Sequence, residues 1–210
     1  MNDAREKILA GVRSKSRPLN GDSPPPLDEV VVRVEPTGAS PEDLLKRFIE
    51  RWTAVGGEIL YPADLPLICD WIAREAPGMV VLDDDLPQTW LEAIPGSCRA
   101  SLALNHRIFA AGLGITTVQG AIAETGTLIL TAAHGRARLA SLAPPIHLAV
   151  LRRDAIVPDL LDACGQFGAG AATVWITGPS KTADIEGIIV RGVHGPRRVV
   201  AAIIDPKSGG

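Results

Sequence analysis

Along most of this 210-residue chain, short apolar segments typical of buried strands alternate with segments typical of helices. Strands are predicted at residues 30–34, 58–61, 79–83, 127–131, 146–151, 173–177 and 198–204, and helices at 41–55, 65–75, 87–93, 157–167 and 182–191. The strands are rich in Val and Ile, as strands buried on both faces are, and parallel strands need helical connections. The order therefore predicts an α/β fold with three α/β/α layers and a largely parallel sheet.

The helix predicted at residues 41–55 has the clearest boundaries. Ser40 is a favoured N-cap, Pro41 suits the first helical position, and Asp43 completes a capping box with Ser40. Gly56 is a typical residue just after the end of a helix. These local signals predict both ends of the helix.

Residues 1–28 differ from the remainder of the chain. A charged helix with a narrow apolar stripe is predicted at residues 3–13, and a stretch rich in Pro follows it. This segment is either a frayed terminus or a docking helix for a partner on a Pro-rich tether. We expect a flexible N-terminal arm over residues 1–28 and one α/β domain over residues 29–210.

Composition disfavours several functional classes. The net charge of -3 and the aromatic content of 4% argue against binding to nucleic acid, which needs basic surfaces or stacking platforms. The three cysteines and four histidines do not have the spacing of metal ligands, so we expect no metal site. No apolar run is long enough to cross a membrane, and the first residues do not resemble a secretory signal. We expect a cytoplasmic protein that binds neither nucleic acid nor membranes.

Residues 177–196 give the strongest indication of a binding site. They join the strand predicted at 173–177 to the helix predicted at 182–191 through a corner of glycine, proline, serine and lysine. In an open parallel sheet, ligands collect at the carboxyl ends of strands, where the next helix presents free N–H groups to an anion. The candidate ligand-binding residues are Gly178, Pro179, Ser180, Lys181, Thr182, Asp184, Glu186, His194 and Gly195.

These residues also have a simpler, structural interpretation. Ser180 or Thr182 would cap the predicted helix, and Asp184 would stabilise its first turn. His194 would then be a surface histidine.

Residues 114–130 contain the second candidate site. A short Thr-capped helix is predicted before Glu124, and Thr125, Gly126 and Thr127 lead into the next strand. A glutamate partly buried beside two threonines would have a raised pKa, which suits a general base or a nucleophile. The alternative is that Glu124 accepts backbone N–H bonds in the turn and that Gly126 only provides backbone freedom.

Charge is distributed unevenly between residues 93 and 153. Glu124 is the only acidic residue in that interval. The basic residues and histidines of the interval are Arg99, Arg107, Arg136, Arg138, Arg152, Arg153, His106, His134 and His147. If several of these arginines converge, with Arg138 among them, they attract a small anionic ligand by bidentate pairing. The alternative is a solvated basic face or a patch for an acidic partner protein.

Three runs of the chain carry a family resemblance. They are GITTVQGAIAETGTLIL at residues 114–130, RLASLAPPIHLAVL at 138–151 and ITGPSKTADIEGIIVRGVHGPRR at 176–198. In this order they resemble the motifs of the LUD-domain family, and specifically of its lactate utilisation protein C (LutC) group. The likeness covers roughly residues 40–205, and it implies a three-layer fold similar to the NagB, RpiA and CoA-transferase group.

The resemblance also implies a role in the oxidation of L-lactate to pyruvate. In that system iron–sulfur partner proteins hold the redox centres, so this chain is expected to have no cofactor of its own. Val118 and Gln119 stand where many family members have Ala-Asp. Lys181 stands where arginine is frequent, and this second difference argues against a bidentate role for Lys181. The resemblance assigns no catalytic residue.

Two functions from different classes stay open. The first is a LutC-like subunit of a lactate-oxidising assembly that binds a small organic anion. The second is a stand-alone enzyme similar to CoA-transferases or sugar-phosphate isomerases, with Glu124 as its catalytic residue. Both need the corners around Thr125 and Ser180 to lie close together in the fold.

Overall fold

The computed structural model describes residues 2–15, 38–76, 78–99, 107–132, 136–167, 172–183 and 189–206. The chain divides into two compact units, residues 1–33 and residues 34–210. The first unit contains helix α1 (Asn2–Lys15), which agrees with the helix predicted at residues 3–13. The strand predicted at residues 30–34 lies outside the described residues.

Helices and strands alternate in the second unit, as the sequence predicts. Its helices are α2 (Pro41–Ala54), α3 (Leu65–Glu75), α4 (Gln88–Ala93), α5 (Arg107–Ala110), α6 (Arg136–Leu142) and α7 (Leu160–Phe167). Its strands are β1 (Glu58–Leu60), β2 (Val80–Leu82), β3 (Ser97–Arg99), β4 (Leu113–Thr117), β5 (Gly120–Ile122), β6 (Thr127–Ala132), β7 (Ile146–Arg152), β8 (Ile156–Val157), β9 (Ala172–Ile176), β10 (Lys181–Ala183), β11 (Ile189–Arg191) and β12 (Arg198–Ile204). Among the described helices, none is both long and apolar enough to cross a membrane.

Helix α2 begins with the capping box that the sequence predicts. The backbone N–H of Asp43 donates to Ser40 Oγ over 3.2 Å, and the backbone N–H of Ser40 donates to Asp43 Oδ2 over 3.3 Å. Leu45, Phe48 and Trp52 follow at helical spacing and are buried. The helix is therefore held by satisfied N–H groups at its start and by one apolar face.

Six strands form a wholly parallel sheet in the order β1-β12-β7-β4-β2-β3. The longest pairing joins β7 to β12 over seven residues, from Ile146 opposite Arg198 to Arg152 opposite Ile204. Each of these two strands is buried over five consecutive residues, as expected where both faces of a sheet are covered. This confirms the predicted α/β class with a largely parallel sheet.

Helices cover both faces of the parallel sheet. On one face, Leu148 and Val200 belong to a core cluster with Ile68 of α3 and Trp90 of α4. On the other face, alternate residues of β7 and β12 pack against α2, and Val81 of β2 packs against α5 and α6. Neighbouring residues of one strand thus enter opposite layers, which gives the predicted α/β/α arrangement.

A second sheet has four strands in the order β8-β5-β6-β9. Strand β9 pairs antiparallel with β6, with Val174 opposite Leu130. Apolar side chains of this sheet join the core cluster that contains α2, and β10 and β11 form a separate antiparallel pair. The strand predicted at 173–177 is present, but it belongs to this second sheet and not to the parallel one.

The helix predicted before Glu124 is wrong. This part of the chain forms β4 and β5 instead. Its run of Ile115, Thr116 and Thr117 is β-branched, and such residues favour an extended backbone over a helix.

The helix predicted at residues 182–191 is also wrong where the structure describes it. Its two ends form β10 and β11, and residues 184–188 lie outside the described part. Ile189 and Val190 fit the apolar spacing of a helix. However, both are β-branched, which favours a strand, and their side chains are exposed. The spacing alone was therefore a misleading signal.

Smaller differences concern the ends of elements. Helix α7 begins at Leu160 and not at residue 157, because Asp159 Oδ1 accepts the N–H groups of Leu161 and Asp162 over 2.9 and 3.0 Å. Strand β3 and helices α5 and α6 have no counterpart among the predicted elements. Each is at most seven residues long, which is too short to give a clear periodic pattern.

Candidate functional site

The two corners that the sequence singles out lie together in the fold. Thr125 Oγ1 lies 2.7 Å from Thr127 Oγ1, and Thr127 Oγ1 lies 2.9 Å from Thr177 Oγ1. Both distances are those of hydrogen bonds between hydroxyl groups. A chain of three hydroxyls thus joins the turn before β6 to the residue that follows β9.

Both corners rest on the last turns of α2. Gly126 has a φ of 62°, and a Cβ atom there would lie 2.4 Å from the backbone nitrogen of Trp52. Gly178 has a φ of 83°, and a Cβ atom there would lie 2.8 Å from the carbonyl oxygen of Val55. These contacts are with backbone atoms, which cannot rotate away, so both positions require glycine.

Lys181 is engaged with the same helix end. Its Nζ donates a hydrogen bond to the carbonyl oxygen of Val55, the C-cap residue of α2. A cation is favourable at this place because the last carbonyl groups of a helix carry partial negative charge. Lys181 was predicted to bind an anion. In this structure its charge stabilises the end of α2 instead.

Glu124 lies half-buried in the turn between β5 and β6. Its backbone N–H donates to Pro158 O over 3.0 Å, and the turn closes by a bond from Gly126 N to Ile122 O, also 3.0 Å. Within the described part of the chain, the Glu124 carboxylate forms no hydrogen bond and no ion pair. A role of Glu124 as nucleophile or base stays a prediction. The alternative, in which its carboxylate accepts backbone N–H bonds in the turn, does not agree with the structure.

The described arginines of the basic interval are engaged separately. Arg99 donates to the backbone oxygens of Asp83 and Leu86 over 2.9 and 2.6 Å. Arg152 pairs with Asp154, and Arg153 pairs with Glu42 and Asp205. Arg138 is exposed on α6, and the side chains of Arg107 and Arg136 lie outside the described part. The anion site expected from converging arginines is therefore not formed by Arg99, Arg152 and Arg153.

A cavity of about 170 Å³ lies beside the corner that follows β9. Four of the predicted ligand-binding residues line it: Gly178, Ser180, His194 and Gly195. A Cβ atom on Gly195 would lie 3.3 Å from Ser180 Cβ, so the residues on the two sides of β10 and β11 are in contact here. The structure thus brings both ends of the 177–196 segment to one small cavity.

The other predicted residues of this segment that the structure describes do not line the cavity. Pro179 is buried, and Thr182 pairs with Val190 between β10 and β11. Asp184 and Glu186 lie outside the described residues. The helix start that Ser180 or Thr182 would cap is absent from the described residues.

The cavity lies at the amino ends of two parallel strands. His147 is the second residue of β7 and Val199 is the second residue of β12, and both line the cavity. The site was predicted at the carboxyl ends of parallel strands. The position differs because β9, which leads into the corner, belongs to the second sheet.

His147 is the buried polar residue of the cavity, and no individual role was predicted for it. Its side chain is fully buried, and Nε2 lies 2.8 Å from Thr116 Oγ1 on β4. Its Nδ1 has no hydrogen-bond partner among the described residues. Burial lowers the pKa of His147 to about 3, so the imidazole is neutral at physiological pH. A lone histidine inside the apolar strand IHLAVL is the only signal in the sequence that points to it.

A second polar cluster lies at the opposite rim of the parallel sheet. Asp83 follows β2, is 4% exposed, and accepts a hydrogen bond from Thr117 Oγ1 over 3.3 Å. Burial, and then the nearby charge of Asp85, raise the pKa of the Asp83 carboxyl. No role was predicted for Asp83 from the sequence. No three His, Cys, Asp or Glu residues of the described ranges are grouped so that they hold a metal ion.

Comparison with known proteins supports the resemblance. Residues 45–204 match the family described as LUD domain. A Deinococcus radiodurans protein named lactate utilization protein C is 36% identical over 132 residues, which are 60% of this chain and 62% of that protein. A protein of the same name from Exiguobacterium sp. is 30% identical over 179 residues, which are 81% of this chain and 70% of that protein.

The matched regions do not extend over the whole length of several relatives. The match covers 62% of the Deinococcus radiodurans protein and 46% of another lactate utilization protein C, from Macrococcus caseolyticus. The chain thus spans less than two thirds of these two proteins.

A solved structure supports the fold. The crystal structure of a DUF162 family protein from Deinococcus radiodurans matches with a TM-score of 0.61 and 24% identity. The match covers 80% of this chain and 99% of that chain. The motifs at 114–130, 138–151 and 176–198 and the match over residues 45–204 agree, and this chain belongs to the LUD-domain family.

Proposed function

We propose that this chain takes part in the oxidation of L-lactate to pyruvate as a LutC-like subunit. In this proposal iron–sulfur partner proteins hold the redox centres, and the chain itself binds a small organic anion. The oxidation removes two electrons and two protons from the substrate, and the electrons pass to the clusters of the partners. Membership of the LUD-domain family and similarity to proteins named lactate utilization protein C support this role.

One structural observation carries the binding part of the proposal. Part of the run at 176–198 that carries the family resemblance comes together in the fold. Gly178, Ser180, His194 and Gly195 converge on one cavity, and Thr125 and Thr127 are joined to the same corner through Thr177. A cavity of about 170 Å³ has room for a small metabolite.

The role in an assembly is tested by deletion and by co-purification. A strain without this chain should not grow on L-lactate as the sole carbon source, while its growth on glucose should be unchanged. The tagged chain, expressed from its own locus during growth on L-lactate, should co-purify with proteins that contain iron–sulfur clusters. Normal growth of the deletion strain on L-lactate, together with no such partner, would contradict the proposal.

A stand-alone enzyme is the second candidate. It is favoured by the half-buried Glu124 carboxylate, which lies in the same turn as Thr125 and forms no ion pair in the described part of the chain. The purified chain should then exchange acyl groups between CoA and a carboxylic acid, or isomerise a phosphosugar. The Glu124→Gln variant should lose that activity, and Glu92→Gln, which changes an exposed residue of α4, should keep it.

A further inference from the structure

One ring nitrogen of the buried His147 forms no hydrogen bond within the part of the chain that the structure describes. The side chain is fully buried and this nitrogen is Nδ1, although buried polar groups are almost always paired. His147 also lines the cavity beside Ser180. An unpaired buried nitrogen at a cavity wall indicates a place where a ligand atom completes the hydrogen bonding.

The pairing with Thr116 decides which tautomer His147 adopts. Thr116 is fully buried, and His147 Nε2 is the hydrogen-bond partner that the structure shows for its hydroxyl. If Nε2–H donated to Thr116, the hydroxyl hydrogen and Nδ1 would both be unpaired. If the Thr116 hydroxyl donates to Nε2, only Nδ1–H is unpaired. The second arrangement leaves fewer buried groups unsatisfied, so His147 presents an N–H donor at Nδ1.

His147 borders both Thr116 and the cavity. Thr116 is on β4, which pairs with one edge of β7, and its hydroxyl meets Nε2. Val199, opposite His147 on β12 at the other edge of β7, lines the cavity together with His147. Thr116 thus pairs with one ring nitrogen of an imidazole that also lines the cavity.

Close packing of α6 forms one wall of the cavity. Gly114 is opposite His147 in the register of β4 and β7, and a Cβ atom there would lie 1.8 Å from the carbonyl oxygen of Ala140. The backbone of α6 thus approaches the sheet where no side chain intervenes. Ser141 and Leu142, the next residues of α6, line the cavity.

The lining selects for a small ligand with an acceptor oxygen. Among the described residues that line the cavity, there is no Asp, Glu, Lys or Arg. The walls include Leu142, Trp175 and Val199, and the Ser180 hydroxyl can donate or accept a hydrogen bond. A volume of about 170 Å³ has room for a three-carbon oxo or hydroxy acid.

We propose that this cavity binds a short-chain 2-oxo or 2-hydroxy carboxylate, with His147 Nδ1–H donating to its 2-oxygen. The inference rests on the proposed function for the anionic character of the ligand. The uncharged 2-oxygen occupies the deep part, where a full charge without a cation would be costly. The carboxylate stays towards the exposed His194, and the Ser180 hydroxyl provides a second hydrogen bond.

NMR of the histidine side chains tests the proposal directly. The full chain is labelled with ¹⁵N-histidine and titrated with pyruvate, with L-lactate and with propionate, which has no 2-oxygen. The Nδ1–H tautomer is expected for His147 in the free protein, and pyruvate or L-lactate should shift the Nδ1–H resonance. Propionate should bind at least about tenfold more weakly. An Nε2–H tautomer, or no shift with either acid, overturns the proposal.

Two substitutions at the same position separate recognition from packing. The amide nitrogen of His147→Asn takes the place of Nδ1, whereas the amide of His147→Gln reaches the place of Nε2 and leaves nothing at Nδ1. The Asn variant should bind pyruvate within about threefold of the natural chain, and the Gln variant should lose about tenfold or more. Equal loss in both variants, with both folded by thermal unfolding, contradicts the assigned donor. If neither variant folds, the NMR titration of the natural chain decides.

The failure of this inference is distinguishable from failure of the proposed function. Ligand binding is measured on the isolated chain, whereas the assembly role is measured by growth and co-purification. A chain that co-purifies with iron–sulfur proteins but binds neither acid overturns the inference alone. A chain that binds pyruvate through His147 but has no partner and no growth phenotype overturns the assembly role alone.

Discussion

Replacement of Gly126 or Gly178 should destabilise the protein through backbone strain and steric contact. Both have positive φ, and both approach backbone atoms of α2. Changing either to alanine forces the helix end and the corner apart, so we expect the free energy of unfolding to fall by about 2 kcal/mol or more. Urea denaturation followed by circular dichroism measures the change.

Gly165 provides the matched control for these two substitutions. It lies in α7, and a Cβ atom there would meet nothing within 4 Å. Gly165→Ala should be neutral or should stabilise the chain by up to about 1 kcal/mol, because alanine is the better helix former. Equal losses at positions 126, 165 and 178 would show that the contacts with α2 are not the cause.

The buried His147 should make stability depend on pH in mildly acidic solution. Burial lowers its pKa from the usual 6.5 to about 3, so between these values the unfolded chain binds a proton that the folded chain does not. The free energy of unfolding therefore falls as the pH drops through this window, by up to about 1.4 kcal/mol per pH unit. Denaturation at pH 7, 6 and 5 measures the slope.

Asparagine at position 147 should remove this contribution because it does not titrate. The difference in unfolding free energy between the natural chain and His147→Asn should shrink from pH 7 to pH 5. A difference that is constant over this range would mean that His147 is protonated in the folded protein as readily as in the unfolded one.

At the scale of elements, the end of α2 is stabilised by a residue far away in the chain. Lys181 Nζ donates to Val55 O, where a cation also opposes the negative end of the helix dipole. Lys181→Met should lower the free energy of unfolding by a few tenths to about 1 kcal/mol, and high salt should reduce the effect. Lys46→Met is the control, since Lys46 is exposed on the same helix but away from its end. Equal effects of the two substitutions would contradict the capping role.

Elements with local signals were predictable from the sequence, and elements that depend on distant partners were not. The start of α2 follows from Ser40 and its capping box, and its end follows from Gly56, all of them local signals. The strand at 173–177 was recognised, but its pairing with β6 depends on residues about forty positions earlier in the chain. The predicted helix at 182–191 failed because apolar spacing does not distinguish a helix from a β-branched strand pair.

The candidate site was predictable only in part, for the same reason. Its glycine-containing corner was visible because Gly178, Ser180 and Gly195 form a distinctive local pattern. His147 was seen only as one of several basic residues, since its partner Thr116 is 31 positions away on another strand. A polar pair between neighbouring parallel strands leaves no spacing pattern in the sequence.

On the scale of the whole molecule, the packed core that the structure describes lies within residues 34–210. The residues of the four core clusters lie between positions 44 and 204. A chain that begins at Val34 should therefore unfold cooperatively, with a midpoint within about 4 °C of the full chain. Calorimetry measures the cooperativity of unfolding and its midpoint temperature.

The corresponding truncation at the other end should prevent folding. Removing residues 198–210 takes away β12, which pairs with both β1 and β7 and supplies buried side chains to both faces. Cooperative unfolding of the chain without residues 198–210 would contradict the assignment of the core. So would a lack of cooperative unfolding in the chain that begins at Val34.

Strand β7 has His147 near its first residue and Arg153 just past its last, with seven residues between the two rims. At about 3.3 Å per residue, this is a separation of roughly 20 Å. Free-energy changes at sites so far apart usually add. Variants of the cavity and variants of Arg153 should therefore be combinable in one chain, with each keeping the effect on stability that it has alone.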